Sequence, residues 1–109
     1  MFRSRILEAA RAAGASVAFV RTLPELQRAV ESGSRLVLLD LDTPRLPSLE
    51  ALASLATHPE VETVGFLSHV DTEREHQALE AGCRTVLPRG AFVRDLPRIL
   101  GLHASENRP

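Results

Sequence analysis

Asp40 and Asp42 stand two residues apart at the end of an apolar run, and they are the side chains here best placed to do chemistry. Five of the six residues from 36 to 41 are apolar, and the chain then breaks into Asp42-Thr43-Pro44. So short a run, bounded by breakers, reads as a strand buried on both faces, as inside a parallel sheet. Open α/β sheets bind ligands at the carboxyl ends of their strands, so any site in this chain includes Asp40. Asp42, Ser68, His69 and Arg89 complete the candidate set. Asp40, Asp42 and His69 form an oxygen/oxygen/nitrogen set of the kind that holds a divalent metal. No helical or hairpin spacing brings them together, so no metal is assigned. Asp42 has a plainer use in stabilising the Thr43-Pro44 turn, and His69 and Asp71 in serving a loop and a helix start. Ser68 carries a hydroxyl, but no G-x-S-x-G elbow surrounds it and no base is fixed by sequence. Arg89-Gly90 offers a guanidinium and close backbone approach to an anion, or an ion pair with Asp40. Dinucleotide, P-loop and zinc motifs are absent, and the chain is not expected to be an enzyme.

The elements that must position these residues alternate along the chain. Residues 2–13 place Phe2, Ile6, Ala9, Ala10 and Ala13 on one helical stripe, and Gly14 is a natural stop. Residues 16–20 are rich in β-branched and aromatic side chains and predict a strand. Thr22-Leu23-Pro24-Glu25 has the spacing of a capping box with proline in the first turn. The helix it opens turns Leu23, Leu26 and Val30 inward and ends at Gly33. Beyond the strand at 36–41, Ser48 predicts the cap of a helix to residue 56, with Leu49, Leu52 and Leu55 toward the sheet. His58-Pro59 ends it. A strand follows at 61–67, then a second capping box at Thr72-Glu73-Arg74-Glu75, whose helix presents Ala78 and Leu79 and closes at Gly82. Cys83 reads as half buried. A strand at 85–88, a loop at 89–92 and a helix capped by Asp95, with Pro97 in its first turn, complete the pattern. Four strands alternating with helices predict a three-layer, flavodoxin-like α/β fold, with a parallel sheet and helices on both faces. Residues 1–104 read as one domain and 105–109 as a frayed tail.

Composition narrows the class further. The 109 residues carry a formal net charge of -1, and every basic side chain is arginine. A phosphate-neutralising surface is therefore not expected, nor a nucleic-acid partner. One cysteine cannot form an internal disulfide, which fits a reducing compartment. No apolar run approaches the roughly 20 residues of a membrane span, and the N-terminus lacks the apolar block of a signal peptide. A cytoplasmic protein without a membrane partner is expected.

Residues 36–100, about two thirds of the chain, resemble the receiver domain of bacterial response regulators. Leu39-Asp40-Leu41-Asp42-Thr43-Pro44 resembles the strand end with the phospho-accepting aspartate and its proline four residues on. Val64-Gly65-Phe66-Leu67-Ser68 resembles the strand that ends in the Ser/Thr switch residue. Ala78-Leu79-Glu80-Ala81-Gly82-Cys83 resembles the helix end reading E-A-G-A, and Val86-Leu87-Pro88-Arg89-Gly90 stands where the family has lysine and proline. The resemblance implies that Asp40 is the phosphoacceptor position, Ser68 the switch position and Arg89 a substitute for the lysine. A planar guanidinium does not replace an ammonium without cost to geometry. It also implies a first strand ending in a Mg²⁺-binding acidic pair, and no acidic pair precedes Asp40. The chain is thus expected to be a degenerate, phosphorylation-independent receiver-like signalling module. It needs no cofactor, and Mg²⁺ enters only if an upstream strand supplies acidic ligands. A protein partner is expected, with a homodimer as one form, and contact falls on the last strand and helix. The alternative is a small-molecule or anion-binding module over Asp40, Ser68 and Arg89. In a receiver-like sheet of order 2-1-3-4-5 the lacking strand is central, between 16–20 and 36–41. The expected remedy is a true start upstream of Met1, ahead of direct pairing or cover by a second chain.

Overall fold

The short apolar runs become parallel strands, and the segments between them become the helices that cover the sheet. The computed structural model describes residues 2–43, 46–68 and 71–106. Its elements are α1 (Phe2–Ala13), α2 (Leu23–Glu31), β1 (Leu36–Asp40), α3 (Ser48–Leu55), β2 (Glu62–Leu67), α4 (Thr72–Glu80), β3 (Thr85–Pro88) and α5 (Arg89–Glu106). The sheet is parallel, in the order β1-β2-β3, with Leu38 opposite Val64 and Phe66 opposite Leu87.

Two apolar layers hold the sheet. On one face Leu39, Leu41 and Leu67 pack with Leu26 and Val30 of α2, Leu52 and Leu55 of α3 and Ala78 of α4. On the other, Val64 and Phe66 pack with Ile6 and Ala10 of α1 and with Phe92, Leu96 and Leu100 of α5. The Phe66 and Phe92 rings stack there, with centroids 4.4 Å apart and planes at 21°. On the first face Gly65 in β2 leaves room for Leu41 and Cys83, since a Cβ on it would meet Leu41 Cδ1 at 3.0 Å and Cys83 Sγ at 3.2 Å.

The first capping box forms as expected. Thr22 Oγ1 accepts from the N–H of Glu25, while Glu25 Oε1 accepts from Thr22 Oγ1 and from the N–H of Arg21. Those bonds lower the Glu25 pKa, the Arg21 N–H contributing most. Helix α2 then stops through Ser32, and Gly33 takes the φ of 109° that a glycine tolerates.

Six expectations change. Residues 16–20 form no strand, so three strands are present among the described residues and not four. Residues 15–20 stand across a cavity from β1, and among the described residues they pair with no strand. Residues 89–92 are the first turn of α5 and not a loop, and Pro97 lies inside that helix. A helical proline removes one hydrogen bond and costs about 3 kcal/mol. Here burial of Phe92, Leu96 and Leu100, spaced four apart and at most 4% exposed, offsets that cost. Ser48 is the first residue of α3 and makes no capping bond, because Pro47 takes the cap position. Asp71, not Thr72, caps α4, with its carboxylate accepting from the N–H of Arg74 at 3.0 Å. Leu49 and Leu79 point outward, because Ala51 and Ala78 occupy the inward positions beside them. Cys83 is buried rather than half buried.

Candidate functional site

Strand β1 delivers Asp40 to the carboxyl edge of the sheet, and the chain turns at once. Asp40 Oδ1 accepts from the N–H of Asp42 at 2.9 Å, a side-chain turn of the kind aspartate favours. The N–H of Leu41 still bonds Phe66 O at 2.9 Å, which holds the turn against β2. Asp42 is thereby aimed across the edge at the exit of β2. Its Oδ2 accepts from the backbone N–H of Ser68 at 2.6 Å and from Ser68 Oγ at 2.7 Å. Its Oδ1 accepts from Arg74 Nη1 at 3.0 Å, and the same nitrogen donates to Leu41 O at 3.3 Å. One carboxylate thus ties the ends of β1 and β2 to the start of α4.

The Ser68 hydroxyl and then the Ser68 amide are the main reasons the Asp42 carboxyl lies below the usual range, with Arg74 adding to them. Asp42 is therefore negative at neutral pH and a poor general base, and Ser68 gains no activation as a nucleophile from it. Ser68 serves as a double donor.

Of the expected site residues, Asp40, Asp42 and Ser68 come together, but the bonded pair is Asp42 with Ser68. Arg89 is exposed at the head of α5, directly after β3, and the cation on Asp42 is Arg74. His69 and Pro44 lie outside the described residues. Arg74 was not singled out by sequence, although a signal existed: it is a cation in the first turn of a helix, where the dipole favours anions. Such a residue needs acidic partners. It has two, Asp42 and, at 3.8 Å from Nε, Asp71.

The arrangement does not fit a divalent cation. Both Asp42 oxygens are engaged, a guanidinium already stands against one of them, and Asp40 Oδ1 is turned to a backbone N–H. Among the described residues no group of three or more acidic, histidine or cysteine side chains is placed to hold a metal. Likewise, among them no helix is long and apolar enough to cross a membrane.

No protein-family model matches the chain, and no curated protein matches it. Solved structures do. The receiver domain of NtrX from Brucella abortus superposes with a TM-score of 0.76 at 19% identity, over 97% of this chain and 91% of that one. A CheY-like response regulator receiver domain protein from Methanospirillum hungatei gives 0.70 at 20% identity, over 96% and 89%. The phosphorylated cyanobacterial phytochrome response regulator RcpA gives 0.69 at 19%, over 93% and 81%. This chain therefore has the receiver fold, as its motifs implied, built on three paired strands among the described residues.

Proposed function

We propose that the chain is a degenerate receiver-like signalling module that acts by contact with another protein and without phosphoryl transfer to Asp40. The observation that carries this reading is the pair of bonds from Ser68 to Asp42, at 2.6 and 2.7 Å. The receiver resemblance makes Ser68 the residue that answers new negative charge at Asp40. In this chain a permanent charge two residues on already holds both Ser68 donors. The engaged state of the edge needs no phosphoryl group and no Mg²⁺, and the module has no enzymatic step of its own. RcpA is a phosphorylated protein, and that property is not carried over. We place the module, over residues 1–104, in the cytoplasm, with contact through β3 and α5 to a partner protein or a second copy.

Intact-mass measurement after incubation with acetyl phosphate and Mg²⁺ tests this reading. The expected spectrum is unchanged, for wild type as for Asp40→Asn. A phosphoryl adduct present in wild type and lost in Asp40→Asn overturns it. The anion-binding alternative is disfavoured because Ser68 has no donor left to offer and two carboxylates repel an anion. A melting temperature raised by inorganic phosphate is the result that restores it.

A further inference from the structure

The charges of this chain are sorted by face. Helices α1 and α5, which cover one side of the sheet, carry six arginines and three carboxylates, whereas α2, α3 and α4, which cover the other, carry two arginines and six glutamates. A net charge of -1 for the whole chain conceals this division. Folded surfaces ordinarily intersperse the two signs, because like charges side by side repel. Little within the chain relieves the excess. On the basic side Arg94 and Arg98 share Asp95, at 3.5 and 3.4 Å. The Arg3 guanidinium lies over the Phe19 ring, 4.2 Å from its centroid. Arg5 and Arg11 have no ion-pair partner among the described residues, and on the acidic side Glu31, Glu50 and Glu73 likewise have none.

Each face also leaves leucine in water. In α1, Leu7 is 44% exposed and stands one turn from Arg3 and one turn from Arg11, so the three form a single stripe. On the other side of the sheet Leu79 is 42% exposed, with Glu75 one turn before it and Glu80 beside it. In the neighbouring α3, Leu49 is 51% exposed beside Glu50. An apolar contact rimmed by charge is the common plan of a protein interface, and here the two rims are of opposite sign. From this we infer that the α1/α5 face docks on the α2/α3/α4 face of a second copy of the same chain, leucine against leucine at the centre and arginine against glutamate around it.

Symmetry decides the form of the assembly. The two faces lie on opposite sides of the sheet, so a single interface cannot use both faces of one copy. A two-fold pair would set arginine against arginine or glutamate against glutamate. Each docking event instead leaves one basic and one acidic face free, and the contact repeats as an open stack. Exposed ion pairs are individually weak and are screened by salt, so the stack grows with concentration and comes apart in salt. Stacking extends the contact function proposed above and leaves Asp40 aside, so a phosphoryl adduct on Asp40 overturns phosphorylation independence and not the stack.

Sedimentation equilibrium of the 109-residue chain tests it. In about 20 mM salt the weight-average mass is expected to climb with concentration past that of two chains, and in about 0.5 M salt to fall back to that of one. Arg5→Glu with Arg11→Glu spoils the basic face, and Glu50→Arg with Glu73→Arg spoils the acidic one. All four positions are exposed and make no ion pair, so the fold is kept, and each variant alone stays single. Mixed, the two variants pair through the faces left intact, and growth stops at two chains. A wild type that stays single up to about 1 mM, the weak end of measurable association, overturns the inference. So does a mass that levels off at two chains, which marks a two-fold pair, and so does a mixture of the variants that stays single. A single-chain wild type retained by heparin, with Arg5→Glu/Arg11→Glu not retained, assigns the basic face to another polyanion and overturns the second copy as its occupant.

Discussion

Strands β1 and β2 are adjacent and parallel, and β1 is the more apolar of the two, yet five of the six β2 residues are buried and only one of the five in β1. Helices lie over both faces of each, so the cover from above and below does not separate them. Lateral neighbours do. β2 is bonded along both edges, whereas the outer edge of β1 faces the cavity. A central position in a parallel sheet is therefore a property of a strand's company, not of its composition.

The contrast is largest at Phe66. In β2 it is 4% exposed and stacked on Phe92, so Phe66→Ala is expected to cost about 3–5 kcal/mol in urea unfolding. A loss below about 1 kcal/mol, of the size of a typical surface substitution, would show that β2 is no more tightly enclosed than β1. Next comes its neighbour Gly65. A methyl there meets Leu41 and Cys83 at 3.0 to 3.3 Å, and both are buried. Gly65→Ala is expected to cost about 1–3 kcal/mol through overpacking, with an unchanged m-value.

Smaller again is the cost of the bridge that joins the two strand ends. Asp42→Asn keeps an acceptor near Ser68 and removes the charge that Ser68 and Arg74 both address. Charge-assisted hydrogen bonds carry about 1.5–3 kcal/mol, and partial exposure places the expected loss near the lower value. The pH dependence has a definite sign. The Asp42 pKa is lowered by folding, so its contribution is complete above the unfolded value near 4 and is lost as pH falls through the lower folded value. Wild type and Asp42→Asn therefore differ most at neutral pH and converge in acid. A difference that does not narrow below about pH 4 sinks the claim that the charge matters.

Legibility in the sequence follows the range of the interaction responsible. The Thr22 box, the stop at Gly33 and the strand at β2 depend on residues within a turn or two, and these were readable. Pro97 was misplaced because what keeps it helical is the burial of Phe92, Leu96 and Leu100 against β2 and α1, a contact made by distant parts of the chain. For the same reason residues 16–20 showed their extended form and hid their lack of a neighbour. At the site, Asp40, Asp42 and Ser68 were found from strand ends. Which carboxylate reaches Ser68 was not, because that depends on the turn that Asp40 itself closes. Arg74 was not legible as a site residue because its contacts with Leu41 and Asp42 join parts of the chain more than thirty residues apart.

The smallest expected effect is at Leu38. Leu38 sits opposite Val64, packs in the same layer as Phe66, and is only partly buried because its strand has one open edge. Leucine truncation costs about 2–5 kcal/mol where burial is complete and falls with the area left in water. Leu38→Ala in the 109-residue chain is therefore expected to cost about 1 kcal/mol. A loss as large as that of Phe66→Ala would show that β1 is enclosed as tightly as β2, and would remove the contrast between the two strands.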